Sequence, residues 1–319
     1  MGTRLMAGLL IGTLALTGCS SGDKKAELVE GSWEDVVAAA EKEGKVVFYA
    51  GISQLPIDRL ITAFNKKYPG IKVQAERITS DGIARVEAQI KSGTEGADVF
   101  MLADTEWFKQ FADELLPVNG PGTEGLRDGA WIVPNSAAAV SGVPYSMFVW
   151  NTNKFPNGFD DWQDFLDPSV KGQLAMRDSA STSAAGFLDF LVENFGEDYV
   201  KALGEQKPKL YASVVPMTNA VAAGEVGVTM ASSPAEVMAL KSSGAPIEFK
   251  YPTPAYGIDY GAAALKNSRR PNAAVVFMDF ILSPEGQEAL NGDGLGVPAR
   301  ADVAGGLDPS GFTMLEASK

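Results

Sequence analysis

The sequence predicts an α/β fold organised around a parallel sheet. One observation is the alternation of strand-length apolar runs with stretches of helical spacing between residues 45 and 102, in the order strand, helix, strand, helix, strand. The other is size and composition. The 319 residues are 45% hydrophobic and 21% charged, which suits a folded chain with room for two units of ordinary size.

The elements follow in order. Ser32 and Asp35 form a capping box that opens a helix through Ala40, and Gly44 stops it. Lys45 to Ala50 is a buried strand. Ile57, Leu60, Ile61 and Phe64 mark a helix from Pro56 to Tyr68, ended by Pro69-Gly70. Ile71 to Ile78 alternates as a strand, Ser80 caps a helix carrying Ile83, Val86 and Ile90, and Ala97 to Leu102 is the next strand. Further on, Tyr145 to Trp150, Leu174 to Arg177, Leu210 to Val214, Val226 to Ala231, Ile247 to Tyr251 and Tyr260 to Leu265 read as strands. Trp162 to Leu166 reads as a helical turn, and Ser183 to Phe195, Ala235 to Ser242 and Asn272 to Leu282 as helices, with another starting at Ser283-Pro284.

The N-terminus carries a different signal. Arg4 precedes a short apolar stretch, Leu5 to Leu16, too short to span a bilayer. Leu16-Thr17-Gly18-Cys19 closes it, ahead of the polar run Ser20 to Asp23. This pattern resembles the lipobox of bacterial lipoproteins. The resemblance implies an exported protein cut before Cys19, with residues 1–18 as signal peptide. Cys19 would carry a fatty-acylated diacylglycerol, palmitate included, and residues 19–30 would be a lipid-anchored tether on the extracytoplasmic side of the cell envelope. No second long apolar run follows.

Composition narrows the function. Net charge is −13, which argues against nucleic acid as a partner. The chain has no histidine and a single cysteine. That removes Ser-His-Asp and Cys-His catalysis, the commonest metal ligand, and any intramolecular disulfide. Binding or transport gains by elimination.

Several phrases then appear in a fixed order: KVVFYAG, AFNKKYPGIKV, GADVFML, FVWNTNKF, DWQDFLDPSVKGQLAM, AVAAGEVGV and GAAALKNSRRPNAAVVFMDFILSPEGQEAL. From residue 45 to about residue 300 the chain resembles the extracellular solute-binding proteins of ABC transporters, in the branch that includes the ferric-binding proteins. The resemblance implies a type II periplasmic-binding-protein fold with the ligand cleft between two hinged lobes. It places residues 31–142 plus 261–290 in lobe one and 143–260 in lobe two, with 291–319 packing on lobe two. It also implies a monomer that hands its ligand to a permease and ATPase complex, with no cofactor and no catalysed reaction. A non-transport sensor on the same fold is an alternative. An enzyme would need paired acids in the cleft, for which Asp178 and Asp259 are the pair to inspect.

Ligands of open α/β sheets sit beyond the carboxyl ends of strands. That rule selects Gly51–Gln54, Ala103–Thr105, Arg177–Ser183 and Ser232–Ala235. The iron-binding relatives carry a Tyr-Tyr pair where this chain has Ser232-Ser233-Pro234-Ala235, and their other metal ligands fall near Ser53 and Ala103. The chain departs from that pattern, so no metal ligand is assigned. Tyr256, Asp259 and Tyr260 are the one substitute cluster that keeps ferric iron open.

The run from Arg177 through Ser181, Thr182 and Ser183 precedes a helix and suits an anion. Arg177 either clamps a carboxylate or phosphonate or forms a salt bridge to Asp178 or a neighbouring loop. Ser53, Gln54, Asp104, Thr105, Ser232 and Ser233 either contact a ligand or cap helices. Tyr145 and Tyr260, near the expected lobe crossings, either touch the ligand or serve the fold. The expected ligand is therefore a small organic anion (a carboxylate, phosphonate or phosphate ester), with a polyamine as the cationic alternative.

Overall fold

The computed structural model describes residues 26–78, 80–178, 182–308 and 312–314, with the backbone alone at 80, 81, 182 and 312–314. Cys19 and the whole leader therefore lie outside the described residues, as does Ser181. Helix α1 (Trp33–Glu43) starts at the reciprocal Ser32–Asp35 box and ends at Gly44, whose φ of 70° is the left-handed conformation glycine allows. It leads into β1 (Lys45–Ala50), α2 (Gln54–Lys67), β2 (Lys72–Arg77), α3 (Ser80–Ser92), β3 (Val99–Leu102) and α4 (Thr105–Gln110). Strands β4 (Trp131–Val133) and β5 (Ala137–Pro144) complete the first half.

After Tyr145 come β6 (Ser146–Asn151), β7 (Leu174–Arg177), α5 (Thr182–Phe195), α6 (Glu197–Glu205), β8 (Lys209–Tyr211) and α7 (Val214–Ala222). They are followed by β9 (Val228–Ala231), α8 (Pro234–Ser242) and β10 (Ile247–Lys250). The chain closes with β11 (Ala255–Ala264), α9 (Pro271–Leu282), α10 (Pro284–Asn291), β12 (Val297–Pro298) and β13 (Phe312–Met314).

These strands form two sheets. The larger runs β12-β5-β11-β3-β1-β2, with β13 on β11 and β4 on β5; the smaller runs β10-β6-β9-β7-β8. The fold is the expected two-lobed α/β architecture, but neither sheet is purely parallel. In the larger, β1 pairs parallel with β2 and β3, whereas β11 is antiparallel to both β3 and β5. In the smaller, β6 is antiparallel to β9 and β10, and β7 is parallel to β8 and β9.

The core of the larger lobe is built on α9, every residue of which is buried. Phe277 meets Phe48 and Phe64 edge to face, with ring centroids 5.1 and 4.8 Å apart. The smaller lobe is filled by rings instead, with Phe148, Trp162, Phe165, Phe187 and Phe190 all buried.

The chain crosses between the sheets at Tyr145 and returns between Lys250 and Ala255. The two crossings lie side by side: the Tyr145 N–H donates to Tyr256 O at 2.9 Å. Strand β11 belongs to the larger sheet along its length, so the expected boundary at residue 260 falls inside a strand. The expected packing of 291–319 on lobe two is also corrected. Val297-Pro298 pair with β5, and 312–314 pair with the start of β11, because these edges still had backbone groups to satisfy.

Helix α6 and the short strands β4, β12 and β13 are absent from the sequence reading, and so are two longer elements, each for a local reason. Strand β5 (AAAVSGVP) is made of small residues and shows no polar alternation. Helix α7 begins Val-Val-Pro, which reads as extended chain, yet proline is tolerated in a helix's first turn.

Candidate functional site

A cavity of about 620 Å³ lies between the lobes. From the larger lobe it is lined by residues 51–56 of the β1–α2 loop, Arg77 at the end of β2, Ser141 and Val143 of β5, and Tyr260 of β11. The smaller lobe contributes Arg177 at the end of β7, Ser213 to Val215 at the start of α7, and Ser233 to Glu236 at the start of α8. Strand ends and helix starts thus converge on one space, as the sheet rule requires.

Three helices, α2, α7 and α8, begin at this cavity. Their N-cap residues are Ser53, Ser213 and Ser233, and none of the three side chains makes a capping hydrogen bond. Each helix start presents backbone N–H groups and the positive end of a dipole, and each serine keeps a hydroxyl for another partner. Gln54 lines the same wall, with its amide donating to Asp58 Oδ1 at 2.8 Å.

The charged groups sharpen this picture. Arg177 donates from Nη2 to Ala212 O at 3.1 Å, and its buried Nε has no hydrogen-bond partner. Arg77 donates from Nε to Ile52 O at 3.2 Å. Neither guanidinium has a carboxylate within 4.0 Å among the described residues, so the alternative pairing of Arg177 with Asp178 is not formed. Every other described arginine does have one: Arg59, Arg85, Arg127, Arg269, Arg270 and Arg300. The two exceptions face one cavity from opposite lobes. Desolvation pushes the Tyr260 phenol above its ordinary pKa, with Arg77 pulling it back, so the hydroxyl stays protonated and able to donate.

Other expected site residues lie elsewhere. Asp104 caps α4 by accepting from the Trp107 N–H at 3.2 Å, and neither it nor Thr105 lines the cavity. Ser232 is buried, its hydroxyl 2.8 Å from that of Thr218, so it belongs to the fold although Ser233 beside it faces the cavity. Tyr145 is buried against Tyr256 and Phe187, beside a small void under Arg177 rather than in the main cavity. Burial pushes its phenol up, against the pull of Arg177 and Ser183. Ser183 does not line the main cavity, and Thr182 is described by its backbone alone.

The tyrosine–aspartate cluster also dissolves. Tyr256 is buried in the aromatic core of the smaller lobe, and Asp259 lies 4.0 Å from Arg127. Burial raises the Asp259 carboxyl and Arg127 lowers it. Only Tyr260 of the three reaches the cavity, and neither Asp178 nor Asp259 lines it. Among the described residues no group of three or more acids, cysteines or histidines is placed to hold a metal.

Sequence reasoning missed Arg77, Ser213 and Glu236. Arg77 stands at the carboxyl end of a strand that had been recognised, so the rule that selected Arg177 also covers it. Ser213 was hidden by the reading of α7's start as strand, and Glu236 by its position inside a helix.

The profile of the family described as bacterial extracellular solute-binding protein matches residues 51–288. The chain belongs to this family. Solved structures similar to this solute-binding protein include iron-bound HitA from Pseudomonas aeruginosa, at TM-score 0.65 and 18% identity over 83% of this chain and 89% of that one. AfuA from Actinobacillus pleuropneumoniae, with exogenous fructose-6-phosphate bound, matches at TM-score 0.67 and 22% identity over 86% and 92%. The substrate-binding protein of an ABC transporter from Agrobacterium tumefaciens matches at TM-score 0.72 and 17% identity over 86% and 89%. At these identities the likeness is one of fold. An uncharacterised protein of Haemophilus influenzae is 30% identical over 135 residues, spanning 40% of this chain and 38% of that one.

Proposed function

We propose that this solute-binding protein is the lipid-anchored receptor of an ABC importer and captures a small organic anion, a carboxylate, phosphonate or phosphate ester. The observation that carries the reading is the pair Arg77 and Arg177, facing one cavity from opposite lobes without a carboxylate partner among the described residues. A guanidinium held by the fold is normally neutralised by the fold, and one left uncommitted at a cavity suits an anion from outside. The free helix starts with Ser53, Ser213 and Ser233 support the same ligand. Of the ligands named for HitA and AfuA, iron and fructose-6-phosphate, the arginines favour the second.

An anion bridging the two walls stabilises the closed arrangement by its contacts with both lobes. The closed complex is then presented to a permease and ATPase pair, and the ligand leaves chemically unchanged. Cys19 moors the chain to the outer side of a membrane, with residues 20–30 as tether.

A thermal-shift panel of phosphate esters, phosphonates, carboxylates, ferric citrate and spermidine tests the ligand class. A ligand that binds only the folded protein raises the melting temperature. Stabilisation by an anion that is lost in Arg177→Ala and reduced in Arg77→Ala supports the reading. Stabilisation by ferric citrate or spermidine alone, unchanged in both variants, overturns it. For the anchor, Cys19→Ser should move the protein from the membrane to the soluble fraction and abolish incorporation of labelled palmitate.

A further inference from the structure

The cavity that holds two arginines without a carboxylate partner also holds one acid without a cationic partner, among the described residues. Among its described lining residues the charged ones are Arg77, Arg177 and Glu236. Glu236 lies in the first turn of α8, and no lysine or arginine stands within 4.0 Å of it among the described residues. Its single hydrogen bond is a long one, 3.4 Å, from the Asn219 side-chain amide. A carboxylate offers about four acceptor positions, so most of this one's capacity is unused.

The ordinary reason for an acid at this position is a capping box, in which it reaches back to the N-cap N–H. Glu236 makes no such bond, and Ser233 makes no reciprocal one. A favourable term with the helix dipole remains, but it does not require the carboxylate to face a cavity.

For a ligand that is only an anion, a carboxylate on the cavity wall is a repulsive neighbour. We infer that the ligand carries a hydrogen-bond donor, an ammonium or a hydroxyl, as well as its anionic group, and that Glu236 receives the donor while Arg77 and Arg177 hold the anion. This rests on the anion reading above and adds the second half of the ligand. Glu236 then acts as a specificity determinant, selecting amino- or hydroxy-substituted anions over plain ones and over inorganic phosphate.

Matched probes test it by calorimetry: O-phosphoethanolamine, 2-hydroxyethyl phosphate and ethyl phosphate, alongside β-alanine, 3-hydroxypropionate and propionate. In the series that binds, the wild type should prefer a donor-bearing probe over the plain one by about tenfold or more. Glu236→Gln, which keeps an acceptor but no charge, should erase an ammonium's advantage and retain a hydroxyl's. Glu236→Ala should erase both, and unliganded melting temperatures equal to the wild type's will show that both variants fold. Equal affinity across a series, lost in Arg177→Ala, overturns the role of Glu236 and leaves the anion reading intact. Failure of both series, and of the phosphonates of the thermal-shift panel, to bind the wild type overturns both.

Discussion

Arg270 in the larger lobe and Arg177 in the smaller make an instructive pair. The Arg270 side chain is buried and donates from Nε to Asp98 at 2.8 Å and from Nη1 to Glu95 at 2.6 Å. Asp98 also receives the Val47 N–H and the Ser268 hydroxyl. That cluster ties β1, β3 and the approach to α9 together and leaves little for an outside partner. Arg177 is also drawn into the protein, yet its partners among the described residues are neutral, the Ala212 carbonyl and the Tyr145 phenol, with no carboxylate among them. The difference separates a charge neutralised within the fold from one that the proposed function assigns to the ligand.

Substitutions can break that comparison. The largest effect is expected from Arg270→Ala, which strands the Asp98 carboxylate without its cation. It should cost roughly 3–5 kcal/mol of stability, read by chemical denaturation, while ligand affinity of the folded fraction is kept. Arg177→Ala should do the reverse. It should weaken an anionic ligand by up to about a hundredfold with little change in unliganded stability. If Arg177→Ala unfolds the protein while Arg270→Ala spares it, the contrast between the two is wrong.

Asp279 sharpens the comparison from the acidic side. It is buried in α9 and accepts from the Gly122 N–H at 2.9 Å, and desolvation raises its pKa to about 6, against a weaker pull from Lys67. A carboxyl whose folded pKa lies above its unfolded value binds its proton more tightly when folded. Stability is therefore lost as pH rises from about 4 through about 6. Asp279→Asn should stabilise the protein by roughly 2 kcal/mol at pH 7.5, with the gain shrinking toward pH 4 in melting experiments. The smallest effect is expected from Arg77→Ala, a loss of about tenfold or less in anion affinity, because that guanidinium is more exposed than Arg177.

Much of this was legible in the chain. The Ser32–Asp35 box and strands 45–50 and 174–177 stand where periodicity and capping put them. The rule of strand carboxyl ends found the loops bearing Ser53, Gln54, Arg177 and Ser233. It could not tell which way neighbouring side chains turn. Ser232 and Ser233 share a loop, but the first is drawn inward by Thr218 and the second opens on the cavity. Strand β5 was not legible because small residues have neither helical nor alternating character, and what makes it a strand is its pairing with β11.

The twin passages between the sheets have a mechanical consequence. Two chain segments abreast, joined by a hydrogen bond from Tyr145 to Tyr256, resist torsion about their own length far more than bending across it. Relative motion of the two halves is thereby reduced to something close to a single degree of freedom. On the proposed function, Arg77 and Arg177 would then approach a ligand along a repeatable arc, with little orientational search spent on closure.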